Sequence, residues 1–310
     1  MHWKTKALIQ NMVAKLPQRL SYKCYYWIQR KYGGLKAVNP MPYVTAALKL
    51  VQYAGNAGMS LDGCHMLEVG TGRRLNMPLV YWLAGAARVT TVDLNPYLTE
   101  DLIQEDLEYL SKNWDTFCGQ VEPHCRSERI TALREFLETG GTMDELMEHC
   151  QIHYWAPADA TDLDLEDESV DLHVSYNVLE HIPTATLSQM FQEAVRIMKA
   201  NSLFIHKVDF SDHFSHSDPT ITPINFLQFD QLEWDRIAGN RYMFMNRLRV
   251  DDYPPMMTQC GLKIDTIDPL VEEQYAELVS KGELKLADEF AHKNMDALVT
   301  REAWFIATKS

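Results

Sequence analysis

The chain has 310 residues, 46% of them hydrophobic, with a formal net charge of −14. That is enough material for one large α/β domain with elaborations. No run of eighteen apolar residues occurs, so no membrane-spanning helix is expected, and the opening MHWKTKALIQNMVAKLP is too polar and interrupted for a secretory signal. Six cysteines (Cys24, Cys64, Cys118, Cys125, Cys150 and Cys260) form no C-x-x-C pair. They read as reduced thiols of a cytoplasmic protein.

Charge is unevenly placed. The first acid is Asp62, and nine basic residues from Lys4 to Lys49 precede it. The acidic remainder argues against nucleic-acid binding, which needs a basic face to displace counterions. The basic segment either folds back on the acidic body or makes a peripheral contact with an anionic membrane surface. Oligomeric state is left open.

Residues 1–60 are helix-prone and aromatic-rich, broken at Pro17, Gly33-Gly34 and Asn39-Pro40, and form an expected helical cap or lid. A domain over 61–310 follows. Its first strand is His65–Val69, ending in Gly70-Thr71-Gly72, and a helix is expected from about Leu75 to Ala84. The β-branched run Arg88–Asp93 completes a β-turn-α-β unit. Residues 97–150 lack a good strand and form an expected helical insertion. Strand signals resume at Ile152–Trp155 and Val170–Tyr176, followed by an amphipathic helix over Leu187–Met198 and a strand at Ser202–Val208. The aromatic, irregular stretch 210–250 has the character of a substrate loop, and Gly261–Asp268 and Ala303–Thr308 supply the last strands. Strands alternating with helices predict a doubly wound, mostly parallel sheet of seven strands.

In such a sheet, ligands bind beyond the carboxyl ends of the strands. Glycines at that turn allow close approach of the backbone to a ligand, and Asp93 ends the next strand, where a carboxylate accepts from ribose hydroxyls. A dinucleotide-binding turn needs G-x-G-x-x-G, but its third position here is Leu75. Glu68 would repel a pyrophosphate and suits a cationic ligand better.

The ordered set LEVGTG, TVDLNPYL and DATDLDLEDESVDLHVSYNVLEHIP resembles class I S-adenosylmethionine-dependent methyltransferases, especially the small-molecule branch that includes ubiquinone and menaquinone methyltransferases. The resemblance covers about residues 65–210 and implies a Rossmann-like fold with S-adenosylmethionine as cofactor. It departs from the family pattern at Arg74, where the last glycine would stand, and in the long 97–150 segment. The implied cofactor residues are Glu68, Gly70, Thr71, Gly72, Asp93, Leu94, Asp159, Ala160, Asn177 and Val178. Asp159 would accept from the adenine amine, while Asn177 and Val178 would line the methyl region.

Methyl transfer aligns nucleophile, methyl and sulfur, and an oxygen acceptor benefits from a base. One candidate is His181, which follows the fourth strand. The other is the dense set His206, Asp209, Asp212, His213, His216 and Asp218. Here His213 and Asp209 are the catalytic candidates, and His206 and His216 are expected substrate contacts. The spacing fits no helical H-E-x-x-H site, so no metal is expected. Arg247 and Arg249 offer guanidinium forks to an anionic acceptor, with Arg247 the expected contact. The leading expectation is methyl transfer to an oxygen of a sugar-containing or other secondary metabolite. N-methylation of a small molecule and a non-catalytic nucleotide-binding scaffold are the alternatives.

Overall fold

The computed structural model describes residues 1–309. Three helices come first: α1 (Trp3–Ala14), α2 (Gln18–Tyr32) and α3 (Met41–Asn56). Then β1 (His65–Val69), α4 (Asn76–Leu83) and β2 (Arg88–Val92) form the β-α-β unit. Between β2 and β3 (Ile152–Trp155) lie α5 (Glu100–Lys112), α6 (Trp114–Val121), α7 (Ser127–Thr139) and α8 (Met143–His149). The chain continues through β4 (Val170–Tyr176), α9 (Thr184–Ile197) and β5 (Met198–Asp209). It ends with α10 (Gln231–Ala238), α11 (Tyr253–Gln259), β6 (Leu262–Val271), α12 (Gln274–Ser280), α13 (Met295–Val299) and β7 (Thr300–Lys309).

The seven strands form one sheet in the order β3-β2-β1-β4-β5-β7-β6. Pairings from β3 through β5 are parallel, whereas β7 runs antiparallel to both β5 and β6. The sheet is therefore mixed, with β7 as the reversed strand. Its central strands are covered on both faces, which is why Met66 to Val69 and Ser202 to Asp209 are buried without alternation. One hydrophobic core packs α3, α4 and the insertion helices on one face, and a second packs α9 and α11 on the other.

Helix α4 is buried at all eight of its positions. A helix apolar on every side belongs inside a domain rather than on its surface. Its Pro78 falls within the first turn, where the missing N–H has no intrahelical partner to lose.

The stretch 210–250 departs from its irregular expectation by holding α10. Asp230 accepts from the Glu233 N–H at 2.8 Å, and the Glu233 side chain returns to the Asp230 N–H, a capping box that starts this helix. Trp234 on α10 packs into a third core with Trp3, Phe214 and Phe226, which fastens α1 to the body.

Of the nine N-terminal cations, three reach partners on the body. Lys6 donates to Ser217 at 2.8 Å, Arg30 pairs with Glu105, and Lys49 meets Asp268 at 3.0 Å. Lys4, Lys15, Arg19, Lys23, Lys31 and Lys36 stay exposed, near the exposed Leu8, Met12, Leu20 and Trp27. No helix is long and apolar enough to cross a membrane among the described residues.

Candidate active site

The parallel strands β1, β2 and β4 end at one cleft of about 960 Å³, beside the point where strand order reverses. All ten residues expected at the cofactor line it: Glu68, Gly70, Thr71, Gly72, Asp93, Leu94, Asp159, Ala160, Asn177 and Val178. The first residues of α4 (Asn76, Met77 and Pro78) close its floor.

The turn after β1 requires glycine for two different reasons. Gly70 has φ +86°, and a Cβ there would stand 2.4 Å from the Val178 side chain. Gly72 has φ +65°, and an added Cβ would meet nothing within 4 Å. At Gly70 the glycine admits the loop after β4; at Gly72 it relieves backbone strain beside open cleft space.

Asp93 organises this turn. Its Oδ2 accepts from the Gly72 N–H and its Oδ1 from the Asn95 N–H, both at 2.9 Å. Each oxygen keeps a further lone pair for a ligand hydroxyl. Burial raises the Asp93 pKa, opposed by those two N–H donors and by the nearby Arg73 cation. Beside it Leu94 is 65% exposed, an apolar face open to the cleft.

Glu68 ends a hydroxyl relay. The Thr91 hydroxyl donates to Glu68 Oε2 at 2.6 Å, so the Thr71 hydroxyl, 2.6 Å from Thr91 Oγ1, supplies the remaining proton. Complete burial pushes the Glu68 carboxyl up to about 8, with the Thr91 bond opposing and Asp93 reinforcing the shift. A cationic group entering the cleft would favour its ionised form. At the far wall, Oδ1 of Asp159 accepts from the Thr161 N–H and hydroxyl at 2.9 and 2.8 Å, which fixes the carboxylate's orientation. Asn177 takes a left-handed conformation, φ 57°, and its side-chain oxygen accepts from Lys207 at 3.1 Å.

Arg74 explains the departure from the glycine pattern. Its guanidinium donates to the Leu102 carbonyl at 2.9 Å and to Asp106 at 2.5 Å, tying the turn to α5.

His181 lines the cleft on the turn after β4. Its Nδ1 must donate to the Phe244 carbonyl, 2.8 Å away, so Nε2 carries the lone pair. Although the side chain is exposed to the cleft, desolvation by the surrounding atoms, and then the nearby His213, lower its pKa to about 4. His213 and His216 each place Nε2 3.6 Å from Asp209 Oδ2. The rings of His181 and His213 lie 4.9 Å apart, as do those of His213 and His216. Asp209 also accepts from the Ser211 N–H and hydroxyl; burial works against ionisation, yet His213 and Ser211 hold its carboxyl well below the usual range.

Asp209, His213 and His216 do not themselves line the cleft, and neither does the rest of the expected cluster. His206 is fully buried within the sheet, bonded to Ser175 at 2.6 Å and His173 at 2.9 Å, away from the cleft. Asp212 accepts from the Asn225 amide and the Phe214 N–H, and Asp218 accepts from the Trp3 N–H at 2.7 Å. Arg247 is buried, donating to the Phe226 and Phe229 carbonyls and pairing with Glu289. Arg249 is spent on the carbonyls of Phe210, Ala297, Leu298 and Thr300. Neither arginine lines the cleft.

Arg73, Arg74 and Arg241 do. Arg73 lies over the Tyr97 ring at 4.5 Å, and Arg241 stands 5.9 Å from Tyr22. Tyr25 and Tyr43 from the N-terminal helices complete the lining, and Tyr25 stacks on Tyr242 at 3.8 Å. Sequence reasoning missed these residues. Arg73 had a signal in its place beside the glycine turn, whereas Tyr25, Tyr43 and Arg241 join the cleft only through tertiary packing.

Residues 127–206 match a family model described as a methyltransferase domain. That span holds Asp159, Asn177 and His181 but stops short of the glycine turn. No curated protein matches the sequence. Among solved structures, a geranyl diphosphate C-methyltransferase from Streptomyces coelicolor A3(2) is 11% identical, covering 84% of this chain and 79% of that one with a TM-score of 0.47. An S-adenosylmethionine-dependent methyltransferase from Mesorhizobium loti is 15% identical over 89% and 100%, TM-score 0.41. A phosphoethanolamine N-methyltransferase from Haemonchus contortus is 12% identical over 91% and 59%, TM-score 0.46.

Proposed function

We propose that this chain, a class I S-adenosylmethionine-dependent methyltransferase, delivers the methyl group to an oxygen of a small, anionic acceptor, in the biosynthesis of a sugar-containing or other secondary metabolite. One observation carries the reading: a single cleft joins the glycine turn, Asp93 and Asp159 to the imidazole of His181 and the guanidinium of Arg241.

The cleft suits the cofactor. Gly72 leaves the backbone bare where a Cβ would meet only open space, Asp93 retains a lone pair on each oxygen, and Leu94 offers an apolar face. Asp93 would hold the ribose, Leu94, Asp159 and Ala160 the adenine, and Glu68 with Thr71, Asn177 and Val178 the methionine end. Bound there, S-adenosylmethionine supplies an electrophilic methyl group on a sulfonium.

The chain's remaining task is to place the acceptor and take its proton. His181 faces the cleft with a free Nε2 and stays neutral near pH 7, so it can accept a hydrogen bond from an acceptor hydroxyl. His213, 3.6 Å from Asp209, stands behind it, and His216 lies beside His213. Arg241 is the better placed contact for a carboxylate or phosphate on the acceptor, replacing Arg247. Tyr25 and Tyr43 make the N-terminal segment a cap that limits water entry. The exposed cations and apolar side chains of α1 and α2 also suit a peripheral contact with anionic lipid.

The test is methyl transfer from methyl-labelled cofactor to hydroxylated and amino small molecules, each with and without a carboxylate or phosphate. Label on oxygen of the anionic hydroxylated compounds is expected. Label on amines alone would overturn the oxygen assignment and favour N-methylation.

A further inference from the structure

A buried group with no partner is unusual, and here two lie together. Glu180 is 2% exposed, and neither carboxylate oxygen has a hydrogen-bond partner. The backbone N–H groups of Glu180 itself and Asp209 and the Lys207 cation lie nearby, but none makes a hydrogen bond to the carboxylate. An ionised carboxylate at this place lacks compensation, and a protonated one lacks an acceptor for its hydrogen. The other is Nε2 of His213, also buried and without a hydrogen bond, with Asp209 Oδ2 3.6 Å away.

The third member is His181. Ligand atoms of Glu180, His181 and His213 all fall within 4.8 Å of one another. The Phe244 carbonyl orients His181 by accepting from Nδ1, the outer hydrogen bond that metal-bound imidazoles commonly make. Asp209 and His216 form an overlapping triad with His213 and add a second carboxylate beside it.

We propose that Glu180, His181 and His213 form a binding site for a divalent first-row transition metal ion, with Asp209 and His216 close beside His213. Two imidazoles and one carboxylate suit ions such as zinc, manganese, iron or cobalt better than the all-oxygen sites taken by calcium and magnesium. Ligands sharing an ion at bonds of about 2.1 Å stand roughly 3 Å apart, so side-chain rotation from the present spacing, within 4.8 Å, is needed to close the set. The expectation of no metal came from linear spacing. The ligands lie on separate elements, the turn after β4 and the loop after β5, and only the fold joins them.

Resting on the proposed acceptor position, the ion would bind an acceptor oxygen next to the cofactor. It would lower that hydroxyl's pKa so that its proton leaves to solvent water, making His181 a ligand rather than the base. The metal site itself does not depend on that reading, because the ligand atoms of Glu180, His181 and His213 lie together whatever the cleft binds.

The test uses full-length protein stripped with a chelator and titrated with cobalt(II), followed by visible ligand-field absorption and calorimetry. One equivalent should bind, and affinity should fall at least tenfold in both His213→Ala and Glu180→Gln. S-adenosylhomocysteine binding, measured on the same samples without metal, should be unchanged in His213→Ala. No cobalt band in the wild type, or equal cobalt affinity in wild type and His213→Ala, would overturn the metal site. Since His213 lies outside the cofactor cleft, that variant remains informative if Glu180→Gln fails to fold. A failure of S-adenosylhomocysteine binding would instead strike the methyltransferase reading alone.

Discussion

The backbone N–H of Gly72 donates to Asp93 Oδ2 at 2.9 Å, so the acid ending β2 holds the turn that ends β1. The residue proposed to bind ribose is thereby also the one that shapes the glycine turn. Asp93→Ala is expected to weaken S-adenosylhomocysteine binding by about 1.5–3 kcal/mol, the range for a hydrogen bond to a charged group. Titration calorimetry measures this directly. An affinity within about twofold of wild type would remove Asp93 from the site.

Arg74 and Asp106 make a different kind of contact, with side chains only 14% and 5% exposed. Removing one partner of a buried pair strands the other charge. Arg74→Ala should therefore lower stability to urea by roughly 3–5 kcal/mol. Arg74→Gly, which restores the family's residue, should lose as much and gain no cofactor affinity. Loss below about 1 kcal/mol, as for an exposed pair, would show that the insertion does not need this tie.

Much of the fold was legible because its signals are local. The apolar run into Gly70, the β-branched strand into Asp93 and the Tyr176-Asn177-Val178 ending all fall at strand ends, and their side chains meet because parallel strands finish on one edge. The cluster from His206 to Asp218 was read as one group because its members are close in sequence. In the fold, β5 is a strand covered on both faces, which buries His206, while the loop beyond it turns His213 and His216 back to Asp209. Arg247 and Arg241 differ by six positions and look equally mobile in sequence, yet one is buried against Glu289 and the other faces the cleft. That distinction belongs to tertiary packing, as does the meeting of Glu180 with His213.

Glu68 should make stability depend on pH. Its folded pKa of about 8 lies above the ordinary value of 4.5, so the folded state holds the proton more tightly between those limits. Stability from this group is fully present below the unfolded pKa and is lost as pH rises toward 8, at about 1.4 kcal/mol per pH unit. Without cofactor, Glu68→Gln should therefore become progressively more stable than wild type from about pH 5 to about pH 8. Chemical denaturation across that range measures the difference. A constant difference would mean that Glu68 is already ionised in the folded protein.

The two arginines separate acceptor recognition from packing. Arg241→Ala is expected to raise KM for an anionic acceptor roughly tenfold or more, the worth of about 1.4 kcal/mol, while leaving S-adenosylhomocysteine affinity intact. Arg247→Ala should chiefly lower stability, since it leaves Glu289 and two backbone carbonyls without their donor. Steady-state kinetics and thermal melts on both variants check this. An unchanged KM in Arg241→Ala would move the acceptor's charge elsewhere in the cleft.

The central claim is that the cleft binds a sulfonium cofactor, and ligand-induced stabilisation of protein stripped of bound cofactor tests it most directly. S-adenosylmethionine and S-adenosylhomocysteine at about 100 times their dissociation constants should each stabilise the fold by about 2.7 kcal/mol, and NAD should not. A melting temperature unmoved by both sulfur ligands, or raised by NAD alone, would contradict the account.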